Sequence, residues 1–261
     1  DINEKKIDLF ENFEKLYTEE KNYDSIIIPN ANISINLAPV QKTSEWNDEY
    51  YSSANNSANH YYKNSNEMDF KGKKLINSRL NKKFLFDGLN TIIADNKGNL
   101  IVYSINQNEI IYKFNFYKKK IKKMDLKLNI IIEDKIIYVS DNVGYLYALD
   151  YNKKKILWAK NYKIPFRSNI KISDNKIISA DQDNTLHITN KYTGEKLKSF
   201  PTEQITLKNN FKNSISLNKS MIFYLNTYGS IYKIDSINEK IEWFINLNPS
   251  LDLNFNDLFF S

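Results

Sequence analysis

Residues 141–158 read DNVGYLYALDYNKKKILW, and this stretch decides the predicted fold of the chain. Asp141 to Gly144 has the Asx and glycine chemistry that reverses a strand, and the following Tyr145 to Leu149 is rich in residues that favour β structure. Asn152 to Lys155 turns the chain again before the apolar residues 156–158. The stretch therefore predicts two short strands joined by a turn, and nothing in it is typical of catalysis.

The same frame of twenty residues returns three more times, starting at Asp95, Asp181 and Asn226. Successive copies start 46, 40 and 45 residues apart. Each copy has a turn residue at its fourth position and an aliphatic residue at its sixth: Gly98, Gly144, Asn184 and Gly229, then Leu100, Leu146, Leu186 and Ile231. A period of this length is typical of radial or stacked β arrays, and it predicts a β-propeller.

Two more short strands are predicted ahead of each later copy, which gives the four strands of a propeller blade. The predicted strands are 129–132 and 135–139, 169–172 and 176–179, and 214–217 and 221–225, with 82–86 ahead of the first copy. The residues between paired strands, 133–134 and 173–175, are predicted hairpin turns. A large apolar residue near the end of the frame, Tyr112, Trp158 or Trp243, is expected to pack on the next blade, whereas the third copy has Lys198 there.

The predicted fold class is all-β, a β-propeller of four-stranded blades. Residues 1–43 are predicted to be an N-terminal tether and linker, and residues 44–261 to be the propeller, with four blades and the start of a fifth at 258–261. A closed ring of about eight such blades needs a longer chain, so we expect an incomplete arc of a larger ring.

The region ahead of the repeats has a different pattern. Ile7, Phe10, Phe13 and Tyr17 fall at helical spacing and predict a short amphipathic helix within residues 1–23. Residues 25–40 form an extended apolar run that Pro29 and Pro39 interrupt, which favours a surface linker over a central strand. The polar block 45–64, with Trp46 and His60, is predicted to be a solvated loop.

Composition bounds the possible functions. The 261 residues are 41% hydrophobic and include no cysteine, so structural disulfides, thiol catalysis and cysteine-ligated zinc are excluded. The formal net charge of +6 permits an acidic partner, but lysine and acidic residues are interspersed through most of the chain, which favours a solvated surface. No apolar run approaches the length of about 18 to 20 residues that a membrane helix requires. The chain starts at Asp1 without a signal segment, which is consistent with a trimmed cytosolic protein or with a removed targeting peptide.

Motifs that carry chemistry are missing from the sequence. Its two histidines, His60 and His187, are far apart, and His187 is expected to be an ordinary strand residue. Residues 181–184 resemble the start of a Ca²⁺ loop, but Tyr192 stands where a bidentate glutamate is needed, so a hairpin turn is predicted. The lysine-rich run 118–123 could meet anionic lipid or nucleic acid, although a solvated loop is favoured. We predict no enzyme activity, no cofactor, no metal and no nucleic-acid partner.

The repeat resembles that of PQQ-type propellers, on the strength of LYALD at Leu146–Asp150, the TGEK turn at Thr193–Lys196 and the ILW that ends the quoted stretch. A WD40 repeat is a poorer match, because no Gly-His or Trp-Asp pair occurs at blade spacing. Within the PQQ-type group the chain resembles the BamB family, propeller lipoproteins of the machinery that assembles β-barrels in the bacterial outer membrane. That step depends on the block with Trp46 and on IPFRS at Ile164–Ser168, as in the alphaproteobacterial members.

The resemblance covers residues 25–261 and implies a non-catalytic scaffold in the periplasm, attached to the outer membrane by a lipid anchor outside this chain. The implied partners are the central, BamA-type subunit of the assembly machinery and its outer-membrane protein clients. The implied contact residues are Ile164, Phe166 and Arg167, although Ile164 and Phe166 are equally compatible with blade core. An acidic pair that the family uses one blade later is replaced here by Asn209-Asn210-Phe211-Lys212.

Two alternatives from other functional classes stay open. The same repeat occurs in PQQ-dependent dehydrogenases, which need a Ca²⁺ held by acidic and amide side chains, a catalytic aspartate and, in many members, a vicinal disulfide. The absence of cysteine argues against this interpretation. The second alternative is a sensor or adhesion propeller, similar to the luminal domain of an ER stress receptor.

Overall fold

The structure is a computed structural model that describes residues 28, 34, 36–37, 39–61, 74–80, 84–118, 121–204 and 211–247. The chain divides into a unit of residues Asp1–Ala38 and a unit of residues Pro39–Ser261, and the following description concerns the second unit. The predicted N-terminal helix and the predicted strand at 258–261 lie outside the described residues. The predicted domain boundary after residue 43 stays a prediction.

The described part of the chain contains four antiparallel sheets, and the strands of each sheet follow chain order from one edge to the other. Sheet 1 contains β1 (Leu85–Phe86), β2 (Asn90–Ala94), β3 (Asn99–Ser104) and β4 (Glu109–Asn115). Sheet 2 contains β5 (Leu128–Glu133), β6 (Ile136–Asp141), β7 (Tyr145–Asp150) and β8 (Lys155–Asn161). Sheet 3 contains β9 (Lys171–Ser173), β10 (Lys176–Ala180), β11 (Thr185–Asn190) and β12 (Lys196–Pro201). Sheet 4 contains β13 (Ser214–Asn218), β14 (Met221–Leu225), β15 (Ser230–Asp235) and β16 (Lys240–Asn246).

The all-β, four-stranded repeat predicted from the sequence is confirmed. A single turn of 3₁₀ helix, Ile121–Lys123, connects sheets 1 and 2 in the described residues. Some strand boundaries differ from the prediction: β1 starts at Leu85 instead of residue 82, and β9 starts at Lys171 instead of Asn169. The side chain of Asn169 bonds to both backbone groups of Ile215 on β13, so this residue bridges two sheets instead of pairing with its own.

The turns between the second and third strands of the sheets are equivalent, as the repeat predicts. Each turn has a residue at positive φ at the expected position: Gly98 (80°), Gly144 (102°), Asn184 (61°) and Gly229 (97°). The first residue of each frame accepts backbone N–H bonds from within its turn: Asp95 from Lys97 and Asn99, Asp141 from Val143, Gly144 and Tyr145, Asp181 from Asp183 and Thr185, and Asn226 from Tyr228 and Ser230. A short Asx side chain at this place therefore satisfies the donors of a reversal that would otherwise lack partners.

Apolar clusters of buried residues lie between successive sheets. One cluster joins sheets 1 and 2, another joins sheets 2 and 3, and another joins sheets 3 and 4. Because each sheet of a repeat array has two apolar faces, it depends on its neighbours to cover them. The expected contact from Trp158 is confirmed: this side chain is 8% exposed and belongs to the cluster between sheets 2 and 3. Whether the sheets form an incomplete arc of a larger ring stays a prediction.

Lysine contacts cross the boundary between successive sheets at their turns. Lys135 Nζ lies 3.2 Å from Asp87 Oδ2, which joins sheet 2 to the start of sheet 1. Lys191 pairs with Glu133 across sheets 3 and 2. At the next boundary Lys176 Nζ lies 3.5 Å from Glu239 Oε1. Each of these partly exposed pairs contributes little to the free energy of unfolding.

Candidate functional site

The predicted contact residues lie on the connection between β8 and β9, here named the connecting segment (Tyr162–Ser168). Its backbone is fixed on both sides. The N–H of Phe166 donates to the Asp141 carbonyl at 2.9 Å, and the N–H of Arg167 donates to the Ala180 carbonyl at 3.0 Å. In return, the Pro165 carbonyl accepts from Gln182 at 2.8 Å. The segment is thus held between the turn of sheet 2 and the turn of sheet 3.

The side chains of the connecting segment are divided between core and surface. Phe166 is 2% exposed and packs its ring 5.0 Å from that of Tyr162 and 6.1 Å from that of His187, so it occupies the blade core. Ile164 and Arg167 are half-buried. The structure therefore gives Phe166 the core role that the sequence left open, and it leaves Ile164 and Arg167 as the predicted residues that a partner could reach.

A close backbone contact positions Ile164. A Cβ built on Gly144 would lie 2.9 Å from the Ile164 carbonyl oxygen and 3.0 Å from its nitrogen, distances that side chains do not tolerate. Tyr162 N–H donates to the Gly144 carbonyl at 2.8 Å. Gly144 is thus required twice, for its φ of 102° and for the space that the connecting segment occupies.

Asp181, His187 and Ser199 form a chain of side chains that resembles a catalytic triad in composition. His187 Nε2 lies 2.8 Å from Asp181 Oδ2, and His187 Nδ1 lies 2.9 Å from Ser199 Oγ. The other carboxylate oxygen of Asp181 closes the turn of sheet 3. In the equivalent turns, Asp141 accepts from the Tyr117 hydroxyl and Asp95 from Ser78, so the partner changes while the turn stays the same.

This comparison favours a structural role for the Asp181 network. His187 is 5% exposed and packs edge-on against Tyr162, which confirms the prediction of an ordinary strand histidine. The predicted hairpin turn at 181–184 is confirmed as well, since the N–H of Asn184 donates to the Asp181 carbonyl at 3.3 Å.

The sequence did not predict a second site, which is formed by described residues of the block that contains Trp46 and His60. Residues 46–55, here named the central segment (Trp46–Asn55), contact the first strands of all four sheets. Trp46 pairs with Phe86 of β1 through both backbone groups, and the Asn47 carbonyl accepts from Ile132 of β5 at 2.9 Å. The Ser53 carbonyl accepts from Leu217 of β13 at 2.8 Å. Together with the Lys171 contact described below, these bonds connect ten residues to the first strands of all four sheets, so the first strands converge on the central segment.

The strand registers make these contacts equivalent. Each of the three bonding residues, Phe86, Ile132 and Leu217, directly follows a first-strand residue that occupies the same place in the repeat. These preceding residues and their partners on the second strand are Leu85 with Ile92, Ile131 with Tyr138, and Ser216 with Phe223. In sheet 3 the residue equivalent to Leu85, Ile131 and Ser216 is Lys171, which pairs with Ile178. Its side chain is the contact that β9 makes with the central segment.

Lys171 forms a buried ion pair with Asp48. Lys171 Nζ lies 2.7 Å from Asp48 Oδ2 and 2.8 Å from the Ser52 carbonyl oxygen, and the two charged side chains are 0% and 9% exposed. Burial lowers the pKa of the Lys171 ammonium below its ordinary value and raises the pKa of the Asp48 carboxyl, although each charge opposes the shift of the other. The ring of Tyr50 lies 5.8 Å from Nζ on another side. The pair fixes the central segment, and leaving either charge alone would be costly.

Aromatic rings hold the start and the end of the block together. Tyr51 lies 5.0 Å from Trp46 and 4.6 Å from His60, both in edge-on geometry, and Gln41 pairs with His60 through the backbone. The predicted solvated loop is wrong for the central segment, because Trp46, Asn47 and Ser53 bond to the first strands. One signal in the sequence could have revealed it: Lys171 stands in an inner strand where sheets 1 and 2 have Leu85 and Ile131, and a buried lysine requires an acidic partner.

Other candidate sites are weakly developed in the described residues. Among them, no group of three or more His, Asp or Glu side chains is placed to hold a metal ion. A groove of about 540 Å³ between sheets 1 and 2 is lined by Tyr151, Lys135 and Lys154. Within the lysine-rich run, Lys118 and Lys123 are exposed beside the 3₁₀ helix, while Lys119 and Lys120 lie outside the described residues. Of the helices that the structure describes, none has the length and hydropathy to cross a membrane.

The four sheets and their shared turn define a repeat protein of the β-propeller class. No protein-family profile matches the chain. No curated protein matches it in sequence either. Among solved structures, the chain is similar to a chain of the mitotic checkpoint complex, with a TM-score of 0.50 and 8% identity over 61% of this chain and 48% of that one.

Two further solved structures show a comparable likeness. BamB from Moraxella catarrhalis has a TM-score of 0.49 and 13% identity, over 61% of this chain and 48% of that one. The computationally designed Ika4 protein has a TM-score of 0.48 and 11% identity, over 67% of this chain and 99% of that one. The chain spans about half the length of the BamB and checkpoint chains. At such identities the likeness concerns the fold alone.

Proposed function

We propose that the chain is a non-catalytic scaffold of the machinery that assembles β-barrels in the bacterial outer membrane. In this proposal it works in the periplasm, attached to the outer membrane through a lipid anchor, and binds the periplasmic domains of the central BamA-type subunit. The role comes from the resemblance of its repeat, its Trp46 block and its IPFRS segment to the BamB family of the alphaproteobacterial type.

The observation that carries the proposal is that the two irregular segments make different kinds of contact. The central segment fills the place where the first strands converge, and its Asp48 is paired with Lys171 within the chain. The connecting segment instead holds Ile164 and Arg167 half-buried on a backbone that is already fixed. A preformed loop loses little conformational entropy on binding, so this geometry suits protein recognition.

The proposed contact uses one apolar side chain and one guanidinium group. Ile164 buries apolar surface against the partner, and Arg167 directs its planar donors to a carboxylate or a carbonyl of the partner. Phe166 supports both residues from the core below and does not itself touch the partner. The acidic pair of the BamB family is replaced by residues 209–212, so we expect a weak contact that is best measured at low salt.

A direct titration tests the proposed function. The purified chain is titrated with the soluble periplasmic domains of a BamA-type subunit by isothermal calorimetry, and saturable binding is expected. Ile164→Asp should abolish most of the heat signal, since it places a charge in the apolar part of the contact. Ile156→Asp, at a site on β8 that is 37% exposed, is the matched control and should bind like the original chain. Absence of saturable binding at low salt would overturn the assignment.

A cofactor titration separates the scaffold from the dehydrogenase alternative. Addition of PQQ with Ca²⁺ should produce no saturable change in absorbance or fluorescence. A site of micromolar affinity would favour the enzyme instead.

A further inference from the structure

The two ends of the sheets use their lysines differently. One end holds the turns between first and second strands and between third and fourth strands. Four lysines there are paired with acidic side chains: Lys135 with Asp87, Lys153 with Asp150, Lys176 with Glu239 and Lys191 with Glu133. The opposite end, named here the connection end, holds the turns between second and third strands and the connections from one sheet to the next.

The lysines of the connection end are mostly unpaired. Seven exposed lysines there form no ion pair with any residue that the structure describes: Lys97, Lys118, Lys123, Lys127, Lys160, Lys163 and Lys212. Lysine and acidic residues are interspersed along the sequence, but the turns of each sheet place most of the acidic partners at the other end. The structure therefore gathers unpaired positive charge at the connection end, which the sequence pattern concealed.

This charge is densest beside the turn of sheet 1, in a group of lysines named here the basic patch. Its members are Lys97 in the turn and Lys118, Lys123 and Lys127 in the connection to sheet 2. Backbone bonds join the turn to its neighbours: the Asn96 carbonyl accepts from Leu126 at 2.9 Å, and the Asn96 N–H donates to the Arg79 carbonyl at 3.1 Å. Asp125, the acidic residue of the connection, is already paired with Arg79 at 2.8 Å.

A cavity of about 250 Å³ opens beside the basic patch. Its polar lining includes Asn77, Ser78, Lys97, Asn99 and Lys113. Lys97 and Lys113 are exposed, and neither forms an ion pair with a described residue. Drug-sized ligands occupy pockets of about 300 to 1,000 Å³, so this smaller space suits one compact polar group.

Asp95 also lines the cavity, but its carboxylate is already bonded. Oδ1 accepts from the N–H groups of Lys97 and Asn99, both at 2.9 Å. Oδ2 accepts from the Ser78 hydroxyl at 2.6 Å and from the Asn99 side-chain amide at 2.7 Å. The donors left for a ligand are therefore the two ammonium groups and the amide of Asn77. Two cations outweigh one bonded carboxylate, and this donor set fits an anion with several oxygens, such as phosphate.

The larger groove of about 540 Å³, at the other end of sheets 1 and 2, lacks this character. It contains Lys135 and Lys154, but Lys135 is paired with Asp87 at 3.2 Å, and Glu109 also lines the groove. Its charges are thus balanced. Position in the fold, and not the number of lysines, makes the smaller cavity electropositive.

We propose that the smaller cavity binds the phosphate of an anionic phospholipid while the basic patch lies against the bilayer surface. Lys97, Lys113 and Asn77 donate to the phosphate oxygens, and the lysines of the patch attract the surrounding headgroups. The half-buried Leu75 and Ile76 line the same cavity and contact the glycerol part of the lipid. The inference is independent of the proposed function, because it does not involve the connecting segment between sheets 2 and 3.

The side chains around the patch favour a bilayer over a nucleic acid. Met124 is 49% exposed and Leu80 is 41% exposed, and aliphatic side chains among cations are typical of proteins that bind at the headgroup level of a bilayer. The rings of the connection pack on the sheets instead: Tyr117 is 4% exposed, and Phe116 lies 5.0 Å from Tyr145. They do not form the exposed stacking platform that single-stranded nucleic acids need.

Vesicle sedimentation tests the proposal. The purified chain is mixed with vesicles of phosphatidylglycerol and phosphatidylcholine in equal parts, and separately with vesicles of phosphatidylcholine alone. We expect the chain to sediment with the anionic vesicles only, and high salt should release it because surface charges are then screened. Equal binding to both kinds of vesicle, or binding to neither, would overturn the proposal.

Paired substitutions locate the contact. Lys97→Gln with Lys113→Gln should weaken binding to the anionic vesicles roughly thirtyfold, as expected for the loss of two lysines at such a surface. Lys154→Gln with Lys155→Gln removes the same charge at the other end of the sheets and should bind like the original chain. All four side chains are exposed, so the midpoint of thermal unfolding should stay the same in both variants. Equal weakening by the two pairs would mean that binding follows net charge alone, and the assignment of the cavity would fail.

Two soluble competitors decide the kind of ligand. Glycerol 3-phosphate has the headgroup phosphate without acyl chains, and at equal phosphate concentration it should not displace the chain from the vesicles. A DNA duplex offers many phosphates without an apolar layer, so Met124→Ser should weaken binding to vesicles more than binding to DNA. Displacement by glycerol 3-phosphate would reassign the cavity to a soluble phosphate. Tighter binding to the duplex than to the vesicles would likewise reject the lipid.

Discussion

The central segment and the connecting segment are both irregular and rich in aromatic residues, yet they meet the sheets in opposite ways. The central segment lies against the first strands of the sheets. The backbone groups at the free edge of these strands would otherwise lack partners, and the central segment bonds to those of Phe86, Ile132 and Leu217. The connecting segment lies beside the turns, where the carboxylates of Asp141 and Asp181 already bind the turn N–H groups.

This difference explains where the chain can offer side chains to a partner. The unpaired backbone groups at a strand edge must be hydrogen-bonded when they are buried. A segment that bonds to them therefore has few groups left to offer a partner protein. A turn that satisfies its own donors makes no such demand. The neighbouring chain is then held by a few backbone bonds, and side chains such as Ile164 remain partly accessible. The comparison predicts large losses of stability at the centre and small ones at the connecting segment.

The largest effect is expected from Lys171→Met. The substitution leaves the Asp48 carboxylate buried without its cation and removes the donor to the Ser52 carbonyl. Breaking a buried ion pair by removing one partner costs about 3 to 5 kcal/mol. Chemical denaturation followed by circular dichroism should show a loss of this size. A loss below about 1 kcal/mol, the value typical of an exposed pair, would mean that the central segment is not fixed by this contact.

The pH dependence of Lys171→Met identifies the cause of that loss. Burial raises the pKa of Asp48, and Lys171 opposes the rise, so removing the lysine should raise it further. A carboxyl whose pKa is higher in the folded state favours folding at low pH and disfavours it as the pH rises through that pKa. The deficit should therefore be smaller at pH 5 than at pH 8. The double variant Lys171→Met with Asp48→Asn, which has no buried charge, should be more stable than the single one and lack this dependence.

A smaller effect is expected from Gly144→Ala, which acts on the connecting segment. The added Cβ would be strained at a φ of 102° and would approach the Ile164 backbone to 2.9 Å, which costs about 2 kcal/mol. Gly88→Ala is the matched control, because its φ is 89° but the nearest atom lies at 3.4 Å. We expect Gly144→Ala to lose more stability than Gly88→Ala and to weaken partner binding as well. Equal losses would show that strain alone, and not the close approach, determines the need for glycine.

The fold was predictable because its signals are local. The turn residues recur at fixed positions, and the second strand of sheet 4, Met221–Leu225, has the predicted bounds. The central segment was missed because its contacts are distant in sequence: Asp48 and Lys171 are 123 residues apart. Periodicity describes which residues share a face, but it does not show which loop pairs with a strand edge. For the same reason Phe166 could be placed in the core only after the neighbours Tyr162 and His187 were known.

The smallest effect on stability is expected from Arg167→Ala. The side chain of Arg167 is half-buried and lies outside the blade core, and the backbone bonds of this residue to Ala180 and Asn213 survive truncation, so the free energy of unfolding should fall by only about 0.5 kcal/mol. An arginine at the centre of a partner contact is worth more, and its loss should weaken binding to BamA-type periplasmic domains about tenfold, or about 1.4 kcal/mol. The other arginine of the chain, Arg79, provides the control: it pairs with Asp125 at 2.8 Å at an exposed site, and Arg79→Ala should leave the affinity unchanged. Titrations of both variants at low salt, with thermal melting alongside, separate the two quantities. Should both variants bind equally well, Arg167 has no part in the contact, and Ile164 would have to carry it alone.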